Sequence, residues 1–155
     1  NLAAGMYIIN VSDANGCSAA DTLTLIEPSA LSSTASVTSN YNGYNVSCQG
    51  AQDGSATVNA QGGVTPYSIN WSNGSSGATV SNLGAGVHTV TIQDANGCST
   101  NASVNLTEPG GVSVTATSSP TTCYGADDGS ATLTVSGGTG NFDIQWSNGG
   151  TGLKL

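Results

Sequence analysis

The stretch GVHTVTIQDANGCSTNASVNL, Gly86 to Leu106, decides the fold. In its first half Val90 and Ile92 alternate with Thr91 and Gln93, and in its second Ala102, Val104 and Leu106 alternate with Ser103 and Asn105. Side chains of an extended chain point to opposite faces in turn, so this period of two predicts strands with one face buried. Between the two halves stands Asp94-Ala-Asn-Gly97, where Asp and Asn tolerate a tight backbone and Gly97 supplies positive φ. A hairpin turn follows.

The same alternation recurs outward from this hairpin. Ala56, Val58 and Ala60 alternate with Thr57 and Asn59, and Tyr67, Ile69 and Trp71 with Ser68 and Asn70. Thr, Val and Ile fill these runs while Gly, Asn, Asp and Pro punctuate them, and no helical period survives. The string DANGCS appears again at Asp13 to Ser18, an offset of 81 (94 minus 13), and at that offset Leu2 and Gly5 fall on Leu83 and Gly86 and Glu27-Pro28 on Glu108-Pro109. A second block matches at an offset of 75 (123 minus 48): CQGAQDGSATV from Cys48 answers CYGADDGSATL from Cys123, and INWSNG from Ile69 answers IQWSNG from Ile144. The difference of six sits in the Asn/Tyr/Gly-rich segment around SNYNGY and is read as a loop insertion. The chain is therefore expected to hold the C-terminal part of one repeat (1–28), a complete repeat (29–109) and the N-terminal part of a third (110–155), as a piece of something longer. Units of about 75 to 81 residues suit small independent domains strung as beads.

Composition bounds the function. Of 155 residues only 6% are charged, with one basic side chain, Lys154, and a formal net charge of −8. That removes the footing for phosphate-backbone binding, so no nucleic acid partner is expected. No apolar run is long enough to span a bilayer, and no membrane insertion is expected. With 37% hydrophobic residues regularly spaced, the chain reads as folded. Four cysteines at repeating places, with no CxxC pair and no zinc spacing, point to an exported protein.

Leu2-x-x-Gly5-x-Tyr7 has the form of a tyrosine corner at the entry to the penultimate strand of an immunoglobulin-like sandwich. In the second copy His88 stands at the tyrosine's position, and its imidazole is expected not to reach the backbone partner a phenol would. Trp71 and Trp146, one per repeat on the third strand, are the expected core tryptophans. The fold class predicted is all-β: tandem small immunoglobulin-like β-sandwiches of about seven short strands each.

The pattern C-x-G-x-x-D-G-S-A-T, then G-G-x-x-P-Y-x-x-x-W-S-N-G, then L-x-A-G-x-x-x-V-x-x-x-D-A-N-G-C resembles the SprB-type repeats of large surface adhesins of gliding Bacteroidetes. The resemblance implies an extracellular module at the bacterial cell surface, exported by type IX secretion and serving attachment and gliding, with neighbouring repeats, surface polysaccharide or abiotic surfaces as partners. Asp21-Thr22-Leu23 resembles the acidic-hydroxyl-apolar motif at which these bacteria O-glycosylate exported proteins, which makes Thr22 the candidate acceptor.

Other candidate sites carry less chemistry. His88 shares a face with Val90 and Ile92 and has no nucleophile or acid beside it, so no catalytic residue is assigned and no enzyme is expected. Asp13, Asp94, Asp53, Asp127 and Asp128 sit in Gly-containing turns without the carboxylate density of a calcium loop. Glu27 and Glu108, at the repeat junctions, are better placed for a metal, yet no metal or cofactor is expected. Tyr41, Tyr44 and Tyr124 lie near Cys48 and Cys123 and would be the glycan contacts if the module bound carbohydrate, the alternative reading. Cys48 and Cys98 are the cysteines of the complete repeat, and a bridge between them would stabilise a small domain by roughly 4 kcal/mol. In a simple sandwich, however, these positions lie at opposite ends, so either the segment around Asn45 to Gly50 doubles back to allow that bridge or bridges run between consecutive repeats. On either account Cys17 and Cys123 lack their natural partners within the chain.

Overall fold

The structure, a computed structural model, describes residues 1–154. It is all-β, with ten strands: β1 (Gly5–Ser12), β2 (Ser18–Leu25), β3 (Ser32–Val37), β4 (Gly54–Gln61), β5 (Ser68–Trp71), β6 (Thr79–Leu83), β7 (Gly86–Gln93), β8 (Ser99–Leu106), β9 (Ser113–Ser119) and β10 (Ser130–Ser136).

β3 to β8 form two antiparallel three-stranded sheets, in the orders β3-β4-β6 and β5-β7-β8. In immunoglobulin terms these are strands A-B-E facing C-F-G. Residues 29–109, read from the sequence as one complete repeat, thus carry six strands rather than the seven expected. The missing strand would lie between β5 and β6, where Trp71 accepts from Gly74 and donates to Ser75 in a tight turn and the chain goes straight on to β6. Too few residues remain there for another crossing.

Alternation explains the burial. On β4, Gly54, Ala56 and Val58 point inward, and on β7 Val90 and Ile92 are fully buried. They meet Val46, Trp71, Val80, Leu83, Val104 and Leu106 in one core. Burying each of the larger aliphatic side chains contributes about 1.5–3 kcal/mol. Gly54 has no room for a side chain: an added Cβ would meet Leu106 Cδ2 and lie 2.8 Å from the Leu83 carbonyl.

The flanking strands pair as hairpins, β1 with β2 and β9 with β10. β1 and β2 align from Gly5↔Leu25 to Ser12↔Ser18, as β7 and β8 align from Gly86↔Leu106 to Gln93↔Ser99. Ile9 and Val11 hold the places of Val90 and Ile92 but are 50% and 64% exposed. The hairpin is dictated locally; burial of its apolar face requires the opposing sheet.

Candidate functional site

The chemistry-bearing residues collect at the two ends of the sandwich. At one end is the turn joining β7 to β8. Asp94 Oδ1 accepts from the amides of Asn96 at 3.0 Å and Cys98 at 2.8 Å, while Gly97 adopts φ 84°. Asp94 Oδ2 accepts from the Val64 amide at 3.0 Å, tying the turn to the β4–β5 connection. Three amides on one carboxylate explain why Asp94 tolerates burial at 6% exposure. The Val64 hydrogen bond, first among these, holds its carboxyl below the ordinary aspartate range. Asp13 accepts the matching bonds from Asn15 and Cys17, each at 2.9 Å. The repeated string DANGCS is thus a side-chain-capped turn.

At the other end lies the loop from Tyr41 to Gly50. The segment read as an insertion is built into the fold. Asn45 Oδ1 accepts from the Thr107 amide at 2.9 Å and from its hydroxyl at 3.0 Å, the Thr107 carbonyl accepts from the Asn45 and Val46 amides, and Val46 is fully buried. No local pattern marks this clamp, because its partners stand 62 residues apart. Asp53 Oδ1 accepts from the Ser47 amide at 3.0 Å, and hydrogen bonding from Ser47, side chain first and amide second, lowers its pKa. Asp128 does the same with Thr122, whose hydroxyl and then amide hold its carboxyl low. Glu108 Oε2 accepts from the Gly50 amide at 2.8 Å, which pins the Cys48 loop to the exit of β8.

The cysteines follow from these placements. All four are exposed free thiols. Cys98 immediately precedes β8, and the Cys48 loop is pinned just beyond its far end. Eight residues of strand at about 3.3 Å each separate the two ends by about 26 Å. A disulfide needs Cα atoms within about 7 Å. The expected Cys48–Cys98 bridge is therefore corrected: the sandwich holds these residues at opposite ends.

Of the two corner positions, His88 differs from expectation. Tyr7 Oη donates to the Ala3 carbonyl at 2.8 Å. His88 Nε2 lies 3.0 Å from the Gly84 carbonyl, the counterpart of Ala3 (84 minus 3 is 81). The imidazole reaches the same partner because that carbonyl is four residues back in both copies.

Trp71 is buried and its indole N–H donates to the Gly77 carbonyl at 3.0 Å; Trp146 is half-buried and donates to Gly152 at 2.9 Å. Tyr67 Oη donates to the Gly62 carbonyl at 2.6 Å, a bond that Phe142 at the corresponding place cannot make. Tyr41 and Tyr44 face each other across a two-residue turn at Asn42 (φ 52°) and Gly43 (φ 92°), and both are exposed. Tyr124 is fully exposed in the third repeat, and Thr22 lies exposed on β2. Among the described residues no group of three or more His, Cys, Asp or Glu side chains is arranged to hold a metal.

Among curated proteins none matches the chain. Residues 41–76, running from the paired tyrosines through the Cys48 loop to the tryptophan turn, and residues 115–151, running through the corresponding features of the third repeat, match the family model described as SprB repeat. Both stretches are thus similar to SprB repeats, and the likeness between the Cys48 and Cys123 blocks is that of two stretches matching one family model.

Proposed function

We propose that this chain is a non-enzymatic structural and adhesive stretch of a large secreted protein at the bacterial cell surface, in which tandem sandwiches divided near residues 28 and 109 form a stalk. The observation that carries this reading is a junction built the same way twice. The Ser29 carbonyl accepts from the Gly63 amide at 2.7 Å where one repeat enters the next, and the Gly110 carbonyl accepts from the Gly138 amide at 2.8 Å at the following junction. Pro109 is fully buried, and only Thr107 to Val112 lies between β8 and β9. A connection this short, hydrogen-bonded on its downstream side and held by Glu108 upstream, favours a regular rod over a flexible string. The match of two stretches to the SprB repeat model supports a place on the cell surface and a role in attachment and gliding.

Small-angle X-ray scattering of the chain tests the stalk. A compact domain of this length has a radius of gyration of about 15 Å. A rod should give a clearly larger value and a single thin cross-section; a value near that of the compact domain would overturn the reading.

A carbohydrate-binding role is the second reading, favoured by the exposed pair Tyr41 and Tyr44 on a rigid turn. Saturable binding on a glycan array, abolished by Tyr41→Ala or Tyr44→Ala, would establish it.

A further inference from the structure

Two clefts occupy the same place in successive repeats, and together they say what meets at a junction. One, of about 240 Å³, is lined by Glu27 to Leu31, Gly63, Asp94, Asn96 and Cys98. The other, of about 390 Å³, is lined by Pro109 to Val112, Gly138 and Thr139, together with Ser47, Cys48 and Gln49. Pro28 to Leu31 correspond to Pro109 to Val112 at the offset of 81, and Gly63 corresponds to Gly138 at the offset of 75. The common floor is thus one junction seen twice. The first cleft shows what the downstream repeat brings to it, the Asp94 turn with Cys98. The second shows what the upstream repeat brings, the loop with Cys48.

We infer that the array is cross-linked by disulfides between consecutive repeats, each joining the Cys48-type cysteine of one repeat to the Cys98-type cysteine of the next. The inference rests on the reading of the chain as a tandem stalk. On this arrangement Cys48 pairs with the cysteine that follows the next repeat's Asp-Ala-Asn-Gly turn, and Cys98 with the cysteine of the preceding repeat's C-x-G-x-x-D-G loop. Both thiols are exposed at the junction faces. Each is also presented by a rigid loop, Cys98 by the Asp94 cap and Cys48 by the Asp53–Ser47 and Glu108–Gly50 bonds. A bridge across the junction would lock successive beads against rotation and let tension pass through covalent bonds.

The chemistry is a thiol–disulfide exchange with the disulfide of an oxidoreductase or of oxidised glutathione. A Cys48-type thiolate attacks one sulfur of the oxidant and expels the other as a thiol, giving a mixed disulfide. The Cys98-type thiolate of the next repeat then attacks the protein-side sulfur, forming the Sγ–Sγ bond and releasing the second thiol. The two protein thiols lose two protons and two electrons, and the oxidant gains them.

The test is non-reducing peptide mapping of the intact natural protein after thiol blocking, with a protease other than trypsin because Lys154 is the only basic residue of this stretch. The peptide with Cys48 should be joined to one that follows residue 155, and the peptide with Cys98 to one that precedes residue 1. Recovery of a Cys48–Cys98 link, or of both as blocked thiols, would overturn the inference. Incubated with oxidised glutathione, the 155-residue chain should take up glutathione at Cys48 and Cys98 separately; an internal bridge between them would likewise overturn it. Blocked thiols combined with rod-like scattering would sink the cross-link alone, whereas compact scattering would sink the stalk reading.

Discussion

His88 Nε2 sits 3.0 Å from the Gly84 carbonyl, as Tyr7 Oη sits 2.8 Å from the Ala3 carbonyl one repeat earlier. Two different side chains thus close the same corner. The tautomer with the proton on Nε2 makes His88 the donor, as the phenol is in the other copy. His88→Tyr should leave stability within about 0.5 kcal/mol of the parent, whereas His88→Phe, which keeps an aromatic body and loses the donor, should cost about 1 kcal/mol, the net value of one hydrogen bond. Urea melts of the three proteins check this, and a His88→Phe protein as stable as the parent would show that the corner bond contributes nothing.

Gly54 tests core packing from the opposite direction. Its φ does not demand glycine; the lack of space does, since a Cβ would press on Leu106 Cδ2 and on the Leu83 carbonyl and would lie 3.1 Å from Val46 Cγ1. Gly54→Ala should destabilise by about 1–3 kcal/mol through overpacking. A Cβ added at Gly129 would lie 3.2 Å from Thr121 Cγ2 and no closer than 3.4 Å to any backbone atom. Gly129→Ala should cost less in the same denaturant series.

Asn45 separates a clamp from a loop. Asn45→Ala removes the acceptor for both the amide and the hydroxyl of Thr107 and should cost about 1–2 kcal/mol. Asn45→Asp keeps an acceptor for Thr107 but loses the amide donor to the Ser39 carbonyl at 3.3 Å, and should recover part of that loss at neutral pH. Hydrogen exchange at the Thr107 amide gives the local readout: fast exchange in Asn45→Ala and protection in Asn45→Asp. Unchanged protection in Asn45→Ala would assign the segment to a passive loop.

Asp94 predicts an acid limit. Its pKa is lowered in the fold, chiefly by the Val64 amide, so its contribution is present above the unfolded value of 3.8 and is lost as pH falls through the lower folded pKa. Asp53 and Asp128 are shifted the same way and add to the same limit. Thermal stability should therefore be flat near neutrality and decline below about pH 4. Asp94→Asn turns an amide group toward at least one backbone N–H that the carboxylate accepted. The variant should melt lower at pH 7 and show a weaker decline in acid, and an identical pH profile would show that Asp94 is not among the groups responsible.

Period-two alternation, turn residues and internal repetition are local or near-local properties, and they were enough to read the all-β class, the repeated hairpin and the resemblance to SprB repeats, though not the strand count, six where seven were expected, nor the side-chain cap on the turn. Pairing Gln93 with Ser99 across five residues needs nothing beyond the turn itself. The tertiary structure decided the relationships whose partners are remote in the chain: Asn45 with Thr107, Glu108 with Gly50, Val64 with Asp94, and the absence of space at Gly54. It also decided the cysteines. Their spacing along the sequence is compatible with a staple inside one repeat, but a sandwich converts the eight residues of β8 into a rigid spacer between its two ends. That conversion leaves Cys48 and Cys98 at opposite ends of the sandwich, because an extended strand gains its full length in space while a sequence separation of fifty residues carries no direction (98 minus 48).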